Sequence, residues 1–276
     1  MTTTTTAELE TIPFGQVVAN QGINYEEDAN LGNEQVGADN VSMPFFSILQ
    51  ALSPQVQDGD PKFVDGARPG MVLNSVTNEV FEARSTINNK PSTEGLVFVD
   101  CYFAEKVVVW GPNRSGWKAS HDLNSPAYKA VMAENLRDGK GKLIDTEGNL
   151  WEDTDYHLGY APQQGGYGVI GMKGSNAKPS RNWNSAIDAI RKTNSKGQKF
   201  KPARFSQLWL LQTKVQPFNE GSCFVWVHKH FGEVVDINDY TDMKNFSLDA
   251  AAGKIKLVKP PVEELQQQQQ EEDVAF

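Results

Sequence analysis

Cysteine is scarce in this chain of 276 residues, and long apolar runs are absent from it. Its two scattered cysteines, Cys101 and Cys223, give no disulfide framework, which favours a reducing compartment. Both stand in apolar runs, so we expect their side chains to be buried. No stretch approaches the ~20 apolar residues of a membrane span, and residues 1–6 lack the basic and apolar parts of a signal peptide. The sequence therefore predicts a cytoplasmic protein.

Signatures of catalysis and metal binding are also missing. There is no P-loop, no nucleophile elbow and no HExxH zinc motif. His228 and His230 lie two apart on a predicted strand and so share a face, but no further ligand stands at metal-site spacing. Residues 166–171 match GxGxxG without the strand before and the helix after that a dinucleotide site requires, which favours a glycine-rich loop or bent strand. We expect a binding protein with no cofactor and no metal, not an enzyme.

The charges are distributed unevenly along the chain, whose net charge is −9. Residues 1–65 carry ten acids and one base, and residues 260–276 carry five acids and no base. Residues 173–214 instead carry ten bases and one acid, Asp188. A strongly cationic segment inside an acidic chain indicates an anionic partner.

Composition divides the chain into three parts. Residues 1–40 are polar and acidic, and they predict a disordered N-terminal arm. Residues 41–258 predict a single β-rich nucleic-acid-binding domain, and residues 259–276 predict a flexible acidic tail that docks partners.

Within the middle part, short apolar runs alternate with turn residues, and only three segments have helical periodicity. The pattern predicts a β-rich α+β fold, either an OB-like barrel or a sandwich, with helical insertions. Strands are predicted at 70–74, 79–83, 96–99, 107–110, 142–145, 149–152, 205–215 and 223–235, and helices at 126–138, 182–192 and 239–252.

The basic segment interleaves cations with aromatic residues. A single-stranded nucleic acid needs cations along its backbone and aromatic faces on which bases stack. Trp183 and Trp209 are expected in the core, whereas Phe200 lies between two lysines in a predicted loop and is the best stacking candidate. The predicted DNA-binding residues are Lys173, Lys178, Arg181, Arg191, Lys192, Lys196, Lys199, Phe200, Lys201 and Arg204.

The last six residues, Glu-Glu-Asp-Val-Ala-Phe, resemble the C-terminal tip of bacterial and phage single-stranded DNA-binding proteins. Gln266 to Gln270 stand in the linker position, and Ala275 stands where the bacterial tip has proline. Residues 45–55 and 70–79 also look like an opening pattern in tailed-phage proteins of this class. The resemblance implies a protein of the host cytoplasm that protects single-stranded DNA in phage replication, recombination or repair. It also implies that replication or recombination proteins dock on Glu271, Glu272, Asp273, Val274 and Phe276.

Two other functions remain open from the residues alone. One is a phage structural or regulatory interaction protein that binds no nucleic acid and has a solubilising tail. The other is a metal-dependent nucleic-acid enzyme using carboxylates such as Asp153 and Asp155. Oligomeric state and the choice between DNA and RNA also remain open.

Overall fold

The computed structural model describes residues 42–218 and 221–255. The chain divides into two units, 1–41 and 42–276, and every described residue belongs to the second. The predicted N-terminal arm and the predicted partner-docking tail lie outside the described residues. No helix in the described ranges has the length and apolar character needed to cross a membrane.

Thirteen strands and three α-helices make up the described part of the chain. The helices are α1 (Pro126–Glu134), α2 (Ala177–Ala189) and α3 (Ile237–Ala251). The strands are β1 (Phe46–Ile48), β2 (Val72–Asn74), β3 (Val80–Phe81), β4 (Thr86–Ile87), β5 (Lys90–Pro91), β6 (Leu96–Trp110), β7 (Trp117–Asp122), β8 (Leu150–Ala161), β9 (Gly166–Met172), β10 (Lys192–Thr193), β11 (Lys199–Phe200), β12 (Gln207–Phe218) and β13 (Gly221–Glu233).

The main sheet has the order β13-β12-β6-β8-β9 and is organised around β6. The two strands predicted at 96–99 and 107–110 are the ends of this single 15-residue strand. One edge of β6 pairs with β12 at Leu96–Phe98 and with β7 at Lys106–Trp110, while β8 pairs along the other edge. Every strand pairing in this sheet is antiparallel, and the pairs β6–β7, β8–β9 and β12–β13 are consecutive in the chain.

A small sheet of order β1-β2-β3 adjoins the main sheet. Single bridges join it on one side at Phe45 and Val169 and on the other at Arg84 and Thr213. The predicted β-rich α+β class is therefore confirmed, but the sheets remain open and an OB-like barrel is not confirmed.

Helix boundaries follow capping more closely than apolar periodicity. Helix α1 begins as predicted, because the Ser125 hydroxyl accepts a hydrogen bond from the Tyr128 amide and Pro126 fills the first position. It ends four residues earlier than predicted, because Asn135 adopts the left-handed conformation with φ 50°. Helix α2 begins five residues earlier than predicted and tolerates Pro179 because that residue lies in its first turn.

The core contains the apolar residues expected there. Trp183, Ile187 and Trp209 are buried in one cluster with β1, β6 and β9 side chains. The side chains of Cys101 and Cys223 are buried, as predicted. The glycine-rich motif at 166–171 is strand β9, and a side chain at Gly168 would overlap the Phe46 ring.

Candidate nucleic-acid interface

A short, basic hairpin projects from the end of α2. Strand β10 pairs with β11 in the register Lys192–Phe200 and Thr193–Lys199. The turn between them is held by Asn194, whose side-chain oxygen accepts from the amides of Lys196 and Gln198 at 2.9 and 3.0 Å. Residues 191–201 contain five bases and no acid, so the hairpin presents concentrated positive charge.

Seven of the ten predicted DNA-binding residues are exposed, five of them in the hairpin segment 191–201 and two on α2. Phe200, predicted in a loop, instead lies on β11 with its ring 45% exposed. Lys201 forms an ion pair with Asp188 near the end of α2. This ion pair connects the hairpin with the helix. The exposed residues are Lys178, Arg181, Arg191, Lys196, Lys199, Phe200 and Lys201.

Lys192 connects the hairpin to the main sheet. Its ammonium lies 2.6 Å from Glu233 Oε2 at the end of β13, and its side chain is 35% exposed. Exposed pairs of this kind contribute little stability. The contact nevertheless places the hairpin beside β13.

Lys173 lies in a different environment from the hairpin cations. It is 7% exposed and pairs with Glu152, which also accepts from Arg114 at 2.8 Å. Its ammonium lies 4.6 Å from the centre of the Trp110 ring. Burial by itself raises the pKa of Glu152, but Lys173 and Arg114 outweigh burial and hold it at about 2. Lys173 is thus part of a buried ionic cluster.

Arg204 also points inward, into a buried polar network. Its guanidinium donates to Asp100 Oδ2 at 2.6 Å and to Asn184 Oδ1 at 2.5 Å. Asp100 Oδ2 lies 2.7 Å from His157 Nδ1, and His157 Nε2 lies 2.9 Å from Ser180 Oγ. Burial raises the pKa of Asp100, but His157 and Arg204 together bring it below its usual range.

The order serine, histidine, aspartate resembles the connectivity of a hydrolase triad. Here all three side chains are completely buried, so a substrate cannot reach the serine in this conformation. His157 is further enclosed by Trp183, whose ring stacks on it at 4.4 Å. The network therefore supports α2 and Arg204 from beneath the basic surface.

Sequence reasoning missed one exposed aromatic residue on β13. Phe231, in the strand predicted at 223–235, is 59% exposed. Leu208 pairs with Gly232 and Trp209 pairs with His230, so Phe231 is the extra residue of a β-bulge. Bulges redirect side chains in this way. Phe231 lies two residues from Glu233, the partner of Lys192.

The histidines on β13 pack against tryptophan rings. His228 stacks on Trp183 at 6.3 Å between ring centres, and burial, with a smaller effect from His157, lowers its pKa. His230 Nε2 lies 2.7 Å from Gln207 Oε1. Within residues 42–218 and 221–255, no three histidine, cysteine or acidic side chains are grouped so that they can share a metal ion.

Comparison with known proteins gives one family. The model of the Pam3 phage gp34-like protein family matches residues 14–256, a range that includes the basic hairpin, α2 and β13. No curated protein and no solved structure matches the chain.

Proposed function

The chain belongs to the Pam3 phage gp34-like protein family, and on that premise we propose that it is a single-stranded DNA-binding protein of phage replication or recombination. It acts by binding, not by catalysis. The observation that carries the proposal is the basic hairpin at 191–201, which combines five bases and no acid of its own with an exposed phenylalanine.

The arrangement supplies both contacts that a single strand requires. Lys178 and Arg181 lie three residues apart on α2 and so share a helix face, and Lys199 continues the positive charge onto the hairpin. Cations along this path neutralise backbone phosphates. Phe200, which pairs with Lys192 in the hairpin, and Phe231, two residues before Glu233 on β13, offer their exposed rings to bases.

The exposed phenylalanines favour a single strand over a duplex. Base faces are available for stacking only where the bases are unpaired and unstacked, and each such contact contributes about 1–3 kcal/mol. Stacking requires no particular base, so we expect binding with little sequence preference.

The acidic tail supplies the second part of the proposed function. Glu271, Glu272 and Asp273 would steer the tail towards a basic partner, and Phe276 would enter an apolar pocket of that partner. The partner is a replication or recombination protein in the host cytoplasm. Deleting residues 271–276 is expected to abolish pull-down of such partners while leaving binding of short oligonucleotides intact.

Two triple variants of equal charge test the binding surface. The first changes Lys178, Arg181 and Lys199 to glutamine, and the second changes the exposed lysines Lys118, Lys129 and Lys244 to glutamine. Binding of each to a fluorescent oligothymidine is followed by anisotropy. Because the first variant loses phosphate contacts and the second loses only net charge, we expect a much larger loss of affinity in the first.

The same titrations separate the alternatives. Equal losses in the two variants would show that the surface around the hairpin is not the binding site. An interaction protein without nucleic-acid binding would give no anisotropy change with the wild type. A metal-dependent nucleic-acid enzyme would shorten the oligonucleotide when magnesium is added, which gel electrophoresis detects.

A further inference from the structure

A cleft of about 370 Å³ lies between α3 and the strands β8 and β9. It lies over the β9 end of the main sheet, whereas the basic hairpin is attached to β13 at the other end of the strand order. Aromatic rings and carboxylates line it together: Tyr160, Tyr167, Phe246, Asp239, Asp242 and Asp249.

The aromatic rings of the cleft pack against one another. The ring of Tyr167 stacks on that of Phe246 with 4.0 Å between centres and 9° between planes. Tyr160 meets Tyr167 edge-on at 5.3 Å. The faces of such rings carry partial negative charge and attract cations.

The acidic part of the cleft adds negative charge to these rings. Asp249 is 2.7 Å from Lys254, but Asp239 and Asp242 are exposed and form no ion pair with the described residues. Burial raises the pKa of Tyr167, and the carboxylates of Asp242 and Asp239 raise it further. The Tyr167 hydroxyl therefore stays protonated, in a cleft whose potential is negative.

We propose that this cleft receives the β10–β11 hairpin of a second copy of the chain, with Lys196 entering between the carboxylates and the aromatic stack. Lys196 lies in the exposed turn of the hairpin, next to Gly197 with φ 75°. The hairpin carries five bases and no acid, so its charge complements that of the acidic, aromatic cleft. An ammonium group in the cleft is attracted both by the carboxylates and by the faces of the aromatic rings.

The contact uses two different surfaces, so it is head-to-tail and leads to open chains of molecules. A cleft of this size buries far less area than a stable dimer requires, so we expect weak association in free solution. On a single strand, neighbouring molecules are held close together, and the same weak contact produces cooperative binding. This last step rests on the proposed function, whereas self-association does not.

Sedimentation velocity at low ionic strength tests the contact with charge-reversed variants. The cleft variant carries Asp239→Lys and Asp242→Lys, the hairpin variant carries Lys196→Glu, and the control carries Asp58→Lys and Glu134→Lys at exposed positions elsewhere. Wild type and control should form oligomers that grow with concentration. Each of the other variants alone should remain monomeric, because like charges meet at the proposed contact.

An equimolar mixture of the cleft and hairpin variants is decisive. The intact hairpin of one variant fits the intact cleft of the other, and the reversed charges at the other contact also attract each other, so the mixture should form oligomers again although each variant alone does not. A monomeric wild type, oligomers of the cleft variant or a mixture that stays monomeric would overturn the proposal. Affinity for an oligonucleotide that holds one molecule should be the same in the cleft variant as in the control of equal net charge, and a wild type that binds none would instead overturn the proposed function.

Discussion

The side chain of Gln50 forms two hydrogen bonds with the backbone of Phe224 on β13. Its oxygen accepts from the Phe224 amide at 2.8 Å, and its nitrogen donates to the Phe224 carbonyl at 2.9 Å. Asn176 adds a third bond by accepting from the Trp226 amide at 2.9 Å. Side chains thus occupy an edge of β13 that would otherwise be open to strand pairing and aggregation.

Gln50→Ala is expected to lower the free energy of unfolding by about 1–3 kcal/mol, because two backbone groups lose their partners. It should also increase light scattering on storage, since the β13 edge becomes available. Gln57→Ala is the control, because the Gln57 side chain bonds only the exposed Ala51 carbonyl. Equal effects in urea denaturation would contradict a role for Gln50 in protecting the edge.

Asp100→Asn removes the charge that neutralises Arg204. The Asp100 side chain is fully buried and that of Arg204 is 23% exposed, so the loss should cost about 3–5 kcal/mol of unfolding free energy. Asp122→Asn breaks the exposed pair between Lys106 and Asp122 and should cost less than about 1 kcal/mol. Chemical denaturation of both variants measures the difference, and a smaller cost for Asp100→Asn would contradict the buried network.

Glu152 should make the protein sensitive to acid. The pKa of Glu152 is about 2 in the folded chain, against an ordinary value of 4.5. The stabilisation of the fold by ionised Glu152 is therefore complete above pH 4.5 and is lost as the pH falls towards 2. The shift corresponds to about 3 kcal/mol. Urea denaturation at several pH values in this range measures the free energy of unfolding. This free energy should depend less on pH in Glu152→Gln than in the wild type. An unchanged slope would show that other carboxylates cause the acid sensitivity.

Sequence periodicity predicted the buried aromatic residues because burial follows the repeat of the element. Trp183 and Ile187 lie on one face of a helix, and both are buried as the spacing required. The same reasoning placed Trp209 in the core of a long strand.

Long-range pairing and local strand irregularity were not visible in the sequence. Lys173 pairs with Glu152, which is 21 residues away in the sequence, and Arg204 pairs with Asp100, which is 104 residues away. Nothing near either cation in the sequence distinguishes it from a surface base. Phe231 is exposed because a bulge shifts the register of β13, and alternation of residue types does not reveal a bulge.

Phe200→Ala and Phe231→Ala should each weaken binding to a single-stranded oligonucleotide by about 1–3 kcal/mol if the rings stack on bases. Phe63→Ala is the control, because Phe63 is also exposed, at 40%, but lies outside the proposed surface. Melting temperatures of these three variants should stay close to that of the wild type. Loss of affinity in Phe63→Ala alone would contradict the assigned surface.

Trp183→Ala should act on stability instead of binding. The ring is fully buried between His157 and His228, so its removal should cost about 3–5 kcal/mol of unfolding free energy. Thermal melting compares it with Phe200→Ala. A melting temperature lowered more by Phe200→Ala would show that the hairpin ring has a structural role.

The salt dependence of binding to single-stranded DNA tests the central claim most directly. If the basic surface neutralises about four to six phosphates, the logarithm of the affinity should fall against the logarithm of the salt concentration with a slope of roughly −3 to −4. Equilibrium titrations of one oligonucleotide at several sodium chloride concentrations give that slope. A slope near zero, or no binding at the lowest salt, would contradict the account.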